Sequence, residues 1–205
     1  AIDETICSGA TSNVVITNPN AVAGTTYSWT AAATNVTGSG NGSGNVIAQV
    51  LTSTTGNTQG TVDYTITPSA NGCSGTPLVI TVTVDPVPDV LATPAAETLC
   101  DGATTGIVLS NPNAVAGTQY TWTQVSTGVA GAANQAIAVA GPIADVLSLS
   151  VANVGGSVTY RVTPLVNGCS GIPVNVIVTV NPIPDVLAID ETICSGATSN
   201  VVITN

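Results

Sequence analysis

Residues 61–67, TVDYTIT, alternate strictly: Val62, Tyr64 and Ile66 fall on one side, Asp63, Thr65 and Thr67 on the other. A period of two is the signature of a β-strand with one buried face. The same reading holds at 157–163, SVTYRVT, where Val158, Tyr160 and Val162 point inward and Arg161 outward. Each segment is followed by the turn sequence NGCSG and then a second alternating run. In 77–84 the inward set is Leu78, Ile80, Val82 and Val84; in 173–180 it is Val174, Val176, Val178 and Val180. Two antiparallel strands around an Asn-Gly turn are therefore expected twice.

Outward from these hairpins the chain repeats itself. Residues 188–205 reproduce residues 1–18 at every position, so the chain passes once around a unit of 187 residues and starts again. Inside the unit, Cys7, NPNAVAGT (18–25) and Trp29 recur as Cys100, 111–118 and Trp122, an offset of 93. Tyr64, NGCSG and P-x-PDVL recur with an offset of 96, which places a three-residue length change between about 31 and 60 or their counterparts. Such changes sit in surface loops. The expected division is 1–91, 92–187 and the start of a further copy at 188–205, each complete part being large enough for its own core.

Tyr27 and Trp29 share a face, as do Tyr120 and Trp122, while 13–17 and 106–110 read as short buried strands before the NPN turn. Trp29, Trp122, Tyr64 and Tyr160 are the expected core anchors. No segment carries a helical stripe. The fold class expected is all-β: tandem immunoglobulin-like sandwiches of about seven strands each. The Gly- and Ala-rich tracts 31–60 and 124–156 hold the middle strands. The connectors PVPDVL (86–91) and PIPDVL (182–187) end ladder pairing, because proline lacks a donor and fixes φ, and they stiffen the link between neighbours.

Composition narrows the function. The chain has no His, Lys, Met or Phe, and a single Arg against eleven Asp and Glu gives a net charge of −10. That balance offers no basic footprint for nucleic acid or an anionic membrane surface. No apolar run reaches the ~20 residues a membrane helix needs, so no membrane insertion is expected. Abundant Val, Ile and Thr argue for a folded β protein despite the scarcity of charge. Without His a hydrolytic triad lacks its base, and nothing places two carboxylates in a cleft for glycoside cleavage. No enzyme is expected.

The pattern T-[IL]-C-x-G-A-T, Y-x-W-T, Y-x-[IV]-T-P, NGCSG-x-P and a Val/Thr strand ending in P-x-P resembles PKD-like/Ig-like repeats of very large secreted bacterial surface proteins. The resemblance covers both domains and the partial third. It implies export to the cell surface and tandem arrays acting as stalks, fibres or adhesins, and it brings no catalytic residues. The chain is read as a stretch of a longer mature protein.

Five cysteines without metal-ligand spacing read as disulfides in an oxidising compartment. Cys7 and Cys100 lie near the domain starts, Cys73 and Cys169 in the last hairpins, and Cys194 repeats Cys7 with its partner beyond residue 205. The simplest scheme is intradomain, Cys7–Cys73 and Cys100–Cys169, each worth roughly 4 kcal/mol by chain entropy. Against it, those turns lie at opposite ends of a common immunoglobulin sandwich. The alternative, Cys73–Cys100 and Cys169–Cys194, would lock neighbouring domains.

Acids gather near the junctions. Asp85, Asp89, Glu97 and Asp101 are the calcium candidates, although no D-x-D-x-D-G loop is present and Asp85 becomes Asn181. Solvated carboxylates are the simpler reading, with no cofactor. Asn35-Val36-Thr37 and Asn41-Gly42-Ser43 match the glycosylation sequon by chance. Two functions compete: a structural fibre or stalk whose partners are neighbouring repeats, and an adhesin module binding surface glycans. The exact return after 187 residues favours the fibre, because binding repeats diversify their loops.

Overall fold

The computed structural model describes residues 1–188 and 190–204. Ile189 and Asn205, both within the third copy, lie outside the described residues. Among the described residues every regular element is a β-strand, arranged as two tandem immunoglobulin-like domains.

The first domain is built on a sheet ordered Glu4–Cys7, Leu78–Asp85, Gly60–Ala70, Thr26–Thr34, Gly42–Ser43. Glu4–Cys7 runs parallel to Leu78–Asp85, and the other pairs are antiparallel. The second domain repeats this order with Ala96–Cys100, Val174–Asn181, Gly156–Val166, Gln119–Thr127 and Gln135–Val139. Facing each sheet are short ladders: Val14–Val15 with Val46–Ile47 and Val36–Thr37 with Thr52–Ser53 in the first domain. Leu91–Thr93 with Val108–Ser110 and Val129–Ala130 with Ser148–Leu149 serve in the second. The expected seven strands per domain become a larger number of segments, because the Gly-rich tracts break the facing layer into two-residue pieces.

Alternation does what it should in the long strands. Val62, Tyr64, Val158, Tyr160 and Val162 are fully buried, and Trp29 and Trp122 lie in the two cores. Each indole N–H donates to a carbonyl of the following loop, Gly40 and Ala133, at 3.2 Å. The phenol of Tyr64 donates to Gln49 Oε1 and that of Tyr160 to Asp145 Oδ2, both at 2.7 Å. These four rings, Trp29, Trp122, Tyr64 and Tyr160, are thus each tied to the polar partner that burial demands. One inward assignment fails: Leu78 is 49% exposed, whereas its counterpart Val174 packs against the second core.

The length change falls at a sheet edge. Trp29 pairs with Gly42 and Trp122 with Gln135, still at the offset of 93. The Ser12 and Thr105 hydroxyls then bond the carbonyls of Ile47 and Ile143, already at 96. The extra residues lengthen the edge strand Gln135–Val139, whose register shifts against Gln119–Thr127.

The third copy restarts the same pattern. Leu187–Ala188 pairs with Ile203–Thr204 as Leu91–Ala92 pairs with Leu109–Ser110. Glu191 accepts the Asn200 amide, as Glu4 accepts that of Asn13 and Glu97 that of Gly106.

Candidate functional site

The chain's most developed polar and covalent constellation lies where the two domains meet. Cys7 ends the strand Glu4–Cys7 opposite Asp85, the last residue of Leu78–Asp85, where the connector leaves the first domain. Cys169 follows the Asn167-Gly168 turn of the second domain, with both turn residues at positive φ (49° and 82°), as a two-residue hairpin requires. Their sulfurs are bonded, with Cα atoms 5.5 Å apart.

This pairing corrects both sequence schemes. In the first domain Gly60 lies opposite Val84 and Ile66 opposite Leu78, while Ala70 lies opposite Cys73 in the hairpin. Cys7 and Cys73 therefore sit at the two ends of the strand Gly60–Ala70, roughly 30 Å apart at 3.3 Å per residue. A disulfide needs Cα atoms within about 7 Å, so an intradomain bond is out of reach. The same argument separates Cys100 from Cys169. The alternative fails too: Cys73 belongs to the end of the first domain remote from the junction, and Cys100 to the corresponding remote end of the second. Cys73, Cys100 and Cys194 are free and exposed.

Around the disulfide the connector is seated in the second domain. The Asn113 amide donates to the Val87 carbonyl at 2.9 Å, and its Oδ1 accepts the Asp89 N–H at 3.0 Å. One side chain thus satisfies both backbone groups that the flanking prolines leave without a ladder. Gly171 faces the Pro88 carbonyl so closely that a Cβ there would lie 1.8 Å from the oxygen. Val90, on the N-terminal side of the division drawn at 91/92, packs in the second core. Pro86 and Pro88 are buried, as are Val115, Val166 and Cys169 on the receiving face. The sequence reading missed Asn113 and Gly171; the signal was the exact recurrence of NPN and NGCSG, which turn chemistry alone does not require.

The calcium candidates are not gathered. Asp85 is buried and accepts the Gln59 amide at 2.7 Å, while Asp101 accepts the Leu149 N–H at 2.8 Å. Glu97 holds the Gly106 amide, and the Asp89 side chain faces solvent. Among the described residues no group of three or more metal-ligating side chains occurs. Burial, and secondarily the Glu4 charge, pushes the Tyr64 phenol up to about 12. Burial and the bond to Asp145 push that of Tyr160 up further. Both phenols stay protonated donors at neutral pH.

Two sandwiches joined through a seated connector and an interdomain disulfide define a tandem immunoglobulin-like module. The chain belongs to the PKD-like domain family, whose model matches residues 4–88 and 97–184. A comparison with curated proteins finds no match. Among solved structures the chain is similar to the Clostridium thermocellum CbhA fibronectin(III)-like modules, at 11% identity over 88% of this chain and 90% of that one, with a TM-score of 0.38. It is also similar to BT4661, a SusE-like surface located polysaccharide binding protein from the Bacteroides thetaiotaomicron heparin utilisation locus. There the identity is 11% over 87% of this chain and 32% of that one, and the TM-score is 0.33.

Proposed function

We propose that this chain is a segment of an extracellular fibre or adhesin stalk, non-catalytic, in which successive domains are fixed end to end. The observation that carries the reading is the junction: a buried Pro-x-Pro connector held by Asn113, reinforced by Cys7–Cys169. A binding or catalytic module does not need its neighbour's orientation locked twice, whereas a load-bearing array does. The disulfide and the family both suit an oxidising, extracellular location. The partners are neighbouring repeats.

Imaging of filaments from the native source tests it. Strands of eight or nine residues rise about 25–30 Å. With turns and connector, a two-domain repeat should measure on the order of 70–90 Å in a thin, unbranched filament. A closed compact oligomer, or dispersed monomers in a full-length preparation, would overturn the proposal.

A further inference from the structure

The two domains share a fold but not a surface, and the differences fall at two places. In the second domain the end that carries NPN and NGCSG is filled by the connector. In the first domain the equivalent end is an open, largely apolar cavity of about 530 Å³. Its walls include Asn20, Val22, Tyr27, Cys73 and Leu78. Val22 is 41% exposed where Val115 is buried, Cys73 is exposed where Cys169 is buried, and Asn20 is exposed where Asn113 clasps the connector. The exposure of Leu78 has the same origin. Its floor holds Tyr27, only 8% exposed, whose hydroxyl has no hydrogen-bond partner within the chain.

The other end of the chain shows the converse. Cys100 lies opposite Asn181 as Cys7 lies opposite Asp85, and the Asp101 amide donates to the Asn181 carbonyl as Ser8 does to that of Asp85. The connector PIPDVL leaves from there. Pro184 and Val186 are exposed, although their counterparts Pro88 and Val90 are buried. The chain therefore carries one complete junction plus the two separated halves of another: a socket with Cys73 and a plug with Cys100.

We infer that the cavity of the first domain is the seat of the 182–187 connector of the preceding unit of the same chain, closed by a disulfide from that unit's Cys100 to Cys73. This rests on the fibre reading above and names its interface. The occupant is set by the sequence itself, in which PIPDVL runs directly into a copy of residue 1. A plug on one end and a socket on the other is a heterologous contact, which a continuous tandem chain can repeat from each unit to the next. Bond formation takes two protons and two electrons from the Cys100 and Cys73 thiols. They pass to an exported disulfide oxidoreductase, whose own disulfide is reduced to a dithiol.

The test is peptide mapping of the full-length protein from its source without reduction, beside a thiol-labelling assay. Expected are two cross-linked species, Cys7–Cys169 and Cys73–Cys100, from a chain that runs as one band on a non-reducing gel. Maleimide should label Cys73 in the 205-residue chain and at most one copy per molecule of the full-length protein. Cys73 found free throughout, Cys73 joined to Cys7, or a ladder collapsed by reductant would each overturn the inference. So would a glycan lodged in the cavity of an internal unit. Filaments seen by imaging with Cys73 free would sink this junction while leaving the fibre itself standing.

Discussion

Cys7 and Cys169 are covalently joined across 162 residues of sequence, so each of the two folded domains contributes one sulfur to a bond that neither could make alone.

Removing that bond should uncouple the domains. Chain entropy for so long a loop gives about 5 kcal/mol, distributed over both unfolding transitions. Cys7→Ser is expected to lower Tm and to split one calorimetric transition into two, with each domain otherwise keeping its native circular dichroism. A single, unshifted transition would show that the seated connector alone sets the coupling.

Asn113→Ala should cost the junction two backbone hydrogen bonds, about 1–3 kcal/mol in all. The readout is local: hydrogen exchange at the Asp89 amide should accelerate while amides within Gly156–Val166 keep their protection. The equivalent Asn20→Ala, in the 205-residue chain, should leave stability within about 0.5 kcal/mol, because Asn20 is exposed there.

Gly131 has a φ of 92°, and a Cβ on it would stand 2.0 Å from the Val146 carbonyl oxygen. Gly131→Ala must therefore both strain the backbone and displace a carbonyl, and a loss of more than about 2 kcal/mol is expected by denaturant titration. Gly38 has the same φ, a Cβ on it would lie 1.9 Å from the Val50 oxygen, and an equal loss is expected in the first domain.

Alkaline stability follows from the buried phenols. Tyr64 has a folded pKa of about 12 against an ordinary 10, so the folded state retains its proton longer than the unfolded chain. Unfolded molecules release that proton above pH 10, and stability should fall between pH 10 and 12 by about 3 kcal/mol from this group. Tyr160 shifts in the same direction and adds to the fall. Below pH 9 neither contributes a slope. Tyr64→Phe should flatten the alkaline limb, which a urea series at pH 9, 10 and 11 would measure.

Much of the fold is legible in the sequence. Period-two alternation placed the long strands, since a strand's faces are fixed by backbone geometry. The internal repeat pointed to two matched domains, and Trp29, Trp122, Tyr64 and Tyr160, expected there as anchors from their matched positions, are buried in the two cores. Where the reading failed, the missing information was not local. Leu78 alternates correctly yet stands exposed on the wall of the cavity at the end of the first domain, a place that alternation within one strand does not report. Cysteine spacing could not reveal the partner of Cys7, because the bond depends on which ends of two sandwiches meet. The sequence by itself determined strands, repeats and anchors, all properties of the chain within a few residues or one period. Only the tertiary structure decided that a connector, an asparagine and two distant cysteines form one junction. Contacts between domains are set by the rigid geometry of whole sheets, which places the end of a strand roughly 30 Å from its start.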